Sequence, residues 1–355
     1  MPDEPTVITE AQVESSAGRL HCIVATPPGP PIARLLIVHG YGEHAGRYVH
    51  FMKWLAERGV ASEAIDLRGH GRSPGRRGFV VRWDEYIDDL KAFLDRDREH
   101  IDGNRSTGAP PVFSEADNAV NPHVPSEADD TGGTTVLQKV KDAQPPLFVM
   151  GHSHGGLIVA IAGESDIFQT RGVRGCVIAS PYLATRLVTP WHKRFVGRIA
   201  NRLMPHLRVP TGLRPQWLTD DESMRREDLV DPLMNRSATP RWYFTTLGMQ
   251  AQAIADAPAF TLPMLCIIGA DDVVADPAAA AEFFRRAGSK DKSHYVYPTT
   301  AHELFRDKSR EVVFTDVLRW LNVRSQTSLP VPSPGNPGEG LFQLRQQTRG
   351  RTLGR

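Results

Sequence analysis

Residues 147–163, LFVMGHSHGGLIVAIAG, limit what this chain can fold into more than any other stretch. A short apolar run, the length of a buried strand, ends in Gly151-His152-Ser153-His154-Gly155-Gly156, and an apolar run of helical length follows. Ser153 is therefore expected on a sharp strand-to-helix turn. A turn that tight strains the backbone of its central residue. Glycines two before and two after remove the side chains that would collide there. The Ser153 hydroxyl would then stand at a helix N-terminus, where the dipole and the free amide of His154 favour a developing oxyanion. The spacing reads as a nucleophile elbow; the plain alternative is a tight turn without chemistry.

Composition suits one large domain. With 355 residues and 40% hydrophobic content, the chain can bury the core of an α/β domain plus an insertion. A formal net charge of +1 argues against a nucleic-acid partner, which needs a basic excess. Cys22, Cys176 and Cys266 lie far apart in strand-like apolar runs. They are expected as buried thiols in a reducing compartment, not as a disulfide frame or a metal site. The start, MPDEPTVITEAQ, is acidic and lacks an apolar segment, and no stretch approaches the length of a membrane span. A cytoplasmic protein is expected.

Residues 6–26 alternate apolar and polar around Ser15-Ser16-Ala17-Gly18, which predicts an antiparallel hairpin. Strand and helix patterns then alternate. Strands are predicted over 34–39, 60–66, 147–152, 173–179, 264–269 and 293–297, and helices over 46–58, 83–101, 278–287 and 311–321. Such alternation implies a mostly parallel sheet covered by helices on both faces.

Three segments interrupt it. Residues 102–145 are rich in Gly, Pro, Ser, Thr and Asp with few large apolar residues, and read as a disordered insertion. Residues 324–355 read as a disordered, mildly basic tail. Residues 182–245 are different, because helical patterns stand where a short connection between strands is expected. That segment is a cap by position. The core then comprises residues 1–101, 146–181 and 246–323. Within the cap, Trp191, Phe195, Ile199 and Leu203 recur every four residues among Lys193, Arg194, Arg198 and Arg202. The favoured reading packs this apolar stripe on the body with its charges in water. The other lets it meet a lipid surface transiently, and the two agree if the cap opens.

A serine hydroxyl is a poor nucleophile at neutral pH and needs a general base, itself oriented by a third group. In an open parallel sheet such groups sit on loops leaving the carboxyl ends of strands. After residues 293–297 comes His302, the expected base; a surface loop histidine is the plain alternative. His152 and His154 flank the serine on the turn itself and reach its hydroxyl poorly. For the acid, Asp272 leads, then Asp271, then Asp276, and the residues alone do not separate the adjacent aspartates. An oxyanion needs two donors, expected from the amides of His154 and of Tyr41 in His39-Gly40-Tyr41-Gly42.

The motifs HGYGEHAGRY (39–48), DLRGHGRSPGRRG (66–78), GHSHGG (151–156), GADD (269–272) and AHELFRD (301–307) together resemble the monoacylglycerol lipase and lysophospholipase-like branch of the α/β-hydrolases. That branch is often labelled serine aminopeptidase-like. The resemblance covers residues 6–322 outside the insertion, and DLVDPLMNRSATPRW (228–242) is also similar. It implies the α/β-hydrolase fold, with the helical cap inserted after the sixth strand. It also implies Ser153 as nucleophile, Asp272 as acid, His302 as base, and Tyr41 and His154 as oxyanion donors, with no metal or organic cofactor. Arg68, Gly69, His70 and Gly71 would shape a loop beside the site. The residue after the serine is usually Met in this branch. His154 departs from that, which bears on the polarity of the acyl pocket.

The expected activity is hydrolysis of monoacylglycerols, lysophospholipids or similar single-chain lipid esters through an acyl-enzyme. Rival readings are an aminopeptidase or amidase, which needs acidic groups such as Asp220, Asp221 and Glu222 for a substrate amine, and a cofactor-free haloperoxidase or C–C hydrolase. A binding protein without turnover would be expected to have lost a member of the Ser–His–Asp set. Acyl length, head group and oligomeric state are not legible.

Overall fold

The computed structural model describes residues 6–107, 144–187 and 189–326. Strands β1 (Val7–Ser15) and β2 (Gly18–Thr26) form the expected hairpin, paired in register from Val7 opposite Thr26 to Ser15 opposite Gly18. There follow β3 (Ala33–Val38), α1 (Val49–Ala56), β4 (Val60–Ile65) and α2 (Asp84–Thr107). Next come β5 (Leu147–His152), α3 (His154–Gly163), β6 (Val173–Ala179), α4 (Trp191–Leu203), β7 (Val209–Pro210), α5 (Glu222–Val230), β8 (Ser237–Ala238) and α6 (Pro240–Asp256). The last elements are β9 (Met264–Gly269), α7 (Pro277–Arg286), β10 (Lys292–Tyr297) and α8 (Arg310–Ser325).

Eight strands join in one sheet in the order β1-β2-β4-β3-β5-β6-β9-β10, parallel from β4 to β10. Period-two alternation divides the core. On β3, Leu36 and Val38 join the layer under α2 and α3, while Leu35 and Ile37 face Phe51 and Leu55 of α1 and Val317 and Leu321 of α8. Both sheet faces are covered, so β5 and β9 are buried along their whole length and read as near-continuous apolar runs. Helix α3 is apolar all round because it lies under α2 and α6 as well as on the sheet.

Three expectations change. Helix α2 continues to Thr107, so the segment beginning at residue 102 starts inside a helix; residues 108–143, most of the expected insertion, lie outside the described residues. The 182–245 segment is not helical alone, since β7 and β8 pair as a short antiparallel ribbon, and α6 runs past residue 245. Helix α8 likewise runs to Ser325, and residues 327–355 are outside the described residues. The three cysteines are buried and unpaired. Among the described residues no helix is long and apolar enough to cross a membrane.

The α4 stripe also departs from the favoured expectation. Trp191 is 80% exposed, Leu203 71% and Phe195 58%. The helix meets α6 through its other side, where Gly197 lies against Phe244. Packing on the body therefore leaves the apolar face uncovered.

Candidate active site

Ser153 links β5 to α3 with φ +53° and ψ −115°, a backbone state that costs a non-glycine residue about 1–3 kcal/mol. The strain persists because the turn is held on all sides. The Ser153 amide donates to the Ala179 carbonyl at 3.0 Å, and its own carbonyl accepts from Leu157 at 3.1 Å and Tyr182 at 2.9 Å. The glycine spacing has a steric cause. A Cβ at Gly155 would collide with the carbonyl oxygens of Val38 and His39, and one at Gly151 with the Gly155 carbonyl.

Loops from two later strands converge on this turn. His302, on the loop after β10, places Nε2 2.8 Å from Ser153 Oγ and Nδ1 2.7 Å from Asp272 Oδ2. Asp272, after β9, is buried, and its Oδ1 accepts from the amides of Val274 at 2.8 Å and Ala275 at 2.9 Å. A carboxylate only accepts, so the His302 Nδ1 carries the proton and Nε2 is left to accept from the serine hydroxyl. The fold also separates the three aspartates. Asp271 is exposed, and Asp276 accepts from Ala278 at 3.0 Å as the cap of α7, so only Asp272 reaches His302.

The two amides expected as oxyanion donors flank the serine. His154 is the first residue of α3, where N–H groups lack intrahelical acceptors. Tyr41 follows Gly40, which runs against Ser153 so closely that a Cβ there would lie 2.9 Å from Ser153 Cβ. The Tyr41 ring stacks on Trp242 of α6 at 3.6 Å between centroids, and its hydroxyl donates to the Ser237 carbonyl at 2.8 Å. That loop is thus tied to the 182–245 segment.

Behind the serine lies an ionic cluster with no counterpart in the expectations above. His152 Nδ1 sits 2.9 Å from Glu43 Oε1, and its Nε2 3.1 Å from the His302 carbonyl oxygen. Both partners are acceptors, so both nitrogens carry protons and the ring is an imidazolium. Burial works against that charge, but Glu43 outweighs it and the His152 pKa is raised. Burial likewise opposes the Glu43 charge, and His152 and Arg47 outweigh it, holding the carboxyl well below the usual range. Glu43 also accepts from the Gly40 amide at 3.2 Å. Arg47 pairs with Asp228 of α5 and with Glu303, next to His302. The signal was present in HGYGEHAGRY, but nothing local says which distant groups Glu43 and Arg47 will meet.

On the loop after β4, the Arg68 guanidinium forms a buried two-pronged pair with Asp89, at 2.7 and 2.6 Å. Asp221 caps α5 and pairs with Arg310 at 2.7 Å, so its carboxylate is committed. Among the described residues no cluster of His, Cys, Asp and Glu is disposed to hold a metal ion.

With this geometry in view, the chain can be set beside known proteins. The family described as serine aminopeptidase, S33, matches residues 29–113 and 128–309. A putative monoglyceride lipase of Schizosaccharomyces pombe is 26% identical over 313 residues, covering 85% of this chain and 71% of that protein. Phospholipase YtpA of Bacillus subtilis is 27% identical over 289 residues, 80% of this chain and 93% of its own length. An uncharacterized abhydrolase domain-containing protein of Dictyostelium discoideum is 25% identical, but the match spans 28% of that longer chain. Among solved structures, a soluble variant of monoglyceride lipase from Saccharomyces cerevisiae in complex with a substrate analog superposes with a TM-score of 0.70 at 20% identity, covering 92% of this chain and 99% of that one. At that identity the likeness speaks to the fold, which is the α/β-hydrolase fold.

Proposed function

We propose that this chain, which belongs to the serine aminopeptidase S33 family, is a serine esterase releasing fatty acid from monoacylglycerols, lysophospholipids or similar single-chain esters. The observation that carries this reading is the hydrogen-bonded line Asp272–His302–Ser153 at the carboxyl ends of β5, β9 and β10. His302 Nε2 takes the proton as Ser153 Oγ attacks the ester carbonyl. Asp272 holds the imidazole in the required tautomer and stabilises the imidazolium. The carbonyl oxygen, now negative, lies against the amides of Tyr41 and His154. His302 then protonates the leaving alcohol, and water repeats the sequence to free the acid.

Relatives named as lipases and a phospholipase support the ester class. The family's peptidase label leaves an amide substrate as the second reading. Asp221 is committed to a helix cap and to Arg310, and Glu222 pairs with Arg226, which weighs against it and leaves the exposed Asp220 as the carboxylate a substrate amine would need. Residues 182–245 would act as the cap, and the exposed apolar face of α4, flanked by Lys193, Arg194, Arg198 and Arg202, would rest on the membrane that holds the lipid. Three buried thiols fit a reducing, cytoplasmic setting.

The test compares oleate release from 1-monooleoylglycerol with cleavage of a dipeptide anilide, using Ser153→Ala as the blank. Release of oleate that the substitution abolishes, with the anilide untouched, is expected. Cleavage of the anilide without oleate release would reverse the assignment in favour of the peptidase.

A further inference from the structure

The backbone and side chain of His154 serve different places. Its amide stands beside Ser153, while its imidazole turns inward and is fully buried. Four aromatic rings enclose it nearly edge-on: Tyr86 at 4.8 Å between centroids, Trp242 at 5.5 Å, Trp83 at 6.0 Å and Tyr41 at 6.2 Å. Neither imidazole nitrogen has a hydrogen-bond partner among the described residues. The same holds for the Tyr86 hydroxyl and the Trp83 and Trp242 indole N–H groups, and for Thr246 one turn beyond Trp242 on α6.

Buried polar atoms are normally paired, and each one left alone costs free energy. Orphans on His154 and on three rings packed against it, Tyr86, Trp83 and Trp242, next to the proposed nucleophile, therefore point to a group that completes them. An aliphatic residue at position 154 would fill the same space with no such cost. The chemistry of the set defines the missing group. Indole N–H groups only donate, the hydroxyls do either, and a neutral imidazole offers one donor and one acceptor. Burial drives the His154 pKa well below its ordinary value, with His70 and His39 adding to the effect, so the ring is neutral near pH 7. A donor-rich, uncharged box suits a carbonyl, hydroxyl or ether oxygen. It suits neither a carboxylate, for which it has no cation, nor a bare methylene, which leaves every orphan unpaired.

The arm of the substrate follows from His302. The leaving alcohol must lie against that ring, whose aromatic neighbour is His152; the box rings pack on His154 instead. The other arm is the acyl chain. We infer that the box of His154, Trp83, Tyr86 and Trp242 is an acyl subsite for a neutral oxygen, so that the enzyme prefers esters of oxygenated fatty acids, keto or hydroxy, over plain chains. This inference rests on Ser153 acting as an esterase nucleophile.

Its test is a set of para-nitrophenyl octanoates carrying one keto oxygen, walked from the fourth to the seventh carbon, each compared with plain octanoate. In the wild type at least one keto ester should exceed the plain ester about tenfold in kcat/KM, mainly through KM, since a site built to hydrogen-bond an oxygen discriminates strongly against its absence. Tyr86→Phe deletes the hydroxyl and keeps its ring; Trp83→Phe deletes the indole N–H together with the five-membered ring and keeps an aromatic side chain. These two and His154→Met should each pull that ratio toward one. Plain octanoate outrunning every keto ester overturns the inference, as does a ratio surviving all three substitutions. If the wild type hydrolyses neither class and fluorophosphonate leaves Ser153 unlabelled, the esterase reading itself fails. The subsite is then read by calorimetric titration of Ser153→Ala with methyl octanoate and its keto analogues. Tighter binding of a keto analogue upholds the inference, and equal affinity, the result if the orphans pair with interior water, overturns it.

Discussion

His152 and Glu43 form a buried ion pair, 2.9 Å between Nδ1 and Oε1, directly behind the serine turn. Glu43 also holds the Gly40 amide, and His152 the His302 carbonyl, so the pair ties the Tyr41 loop to the His302 loop. Removing one partner leaves a buried charge alone. Glu43→Ala is expected to cost about 3–5 kcal/mol in denaturant unfolding. Combined with His152→Ala it should cost clearly less than the sum of the two single changes. The pH signs oppose one another. The raised His152 pKa contributes stability that is full below its unfolded value of 6.5 and fades as pH climbs through the folded value. The lowered Glu43 pKa contributes above 4.5 and fades as pH falls through the folded value. The melting temperature lost in His152→Gln should therefore be greatest between those two pH values. A deficit that is flat with pH would remove the ion pair from the account.

Strain at Ser153 makes a prediction independent of activity. Glycine tolerates φ +53° where alanine does not, so Ser153→Gly should be about 1 kcal/mol more stable than Ser153→Ala, worth about 1–2 °C in melting temperature for a chain this long. Both variants should lose ester hydrolysis by about 10⁴-fold or more. Equal stability of the two would mean that the turn is relaxed.

How far the sequence speaks depends on how local each signal is. Strands β6 and β9 were legible to the residue because both sheet faces are covered there, so residues 176–179 of β6 and all of β9 are buried and read as apolar runs. The turn at Ser153 was legible because its glycines are needed within a few residues of one another. Asp272 could not be told from Asp271 by pattern, since only the fold decides which carboxylate turns inward. Glu43 and His152 lie 109 positions apart, and no periodicity pairs them. On α4 the four-residue spacing was legible, but not what covers the stripe, because amphipathicity describes a helix and not its neighbours.

Glu164, at the far end of α3 from Ser153, lines a groove of about 530 Å³ with Asp256, Asp84 and Ile161. Burial, helped by Asp256, pushes its pKa up to about 8. A raised folded value means that its contribution is full below the unfolded value of 4.5 and is lost as pH rises through about 8. Glu164→Gln cannot ionise. It should therefore match the wild type in melting temperature near pH 4 and exceed it near pH 9, with the gap opening between. A gap that does not change with pH would show that Glu164 titrates as an exposed carboxylate.

The α4 face offers the sharpest contrast between stability and binding. Trp191 and Phe195 are exposed, so Trp191→Glu and Phe195→Glu should each change folding stability by no more than about 0.5 kcal/mol. On a lipid surface the same residues would enter the headgroup boundary, while Lys193, Arg194, Arg198 and Arg202 attract anionic lipid. Burying apolar surface the size of a Trp or Phe side chain is worth about 1.5–3 kcal/mol, so losing either should weaken vesicle binding at least tenfold. Sedimentation with vesicles of phosphatidylcholine and phosphatidylglycerol reads this directly, and raised salt should weaken the wild type through its cationic flank. Unchanged pelleting of both variants would end the membrane reading and leave α4 as an uncovered face of the cap. Unchanged pelleting together with lost monooleoylglycerol turnover would move the stripe from docking to substrate entry.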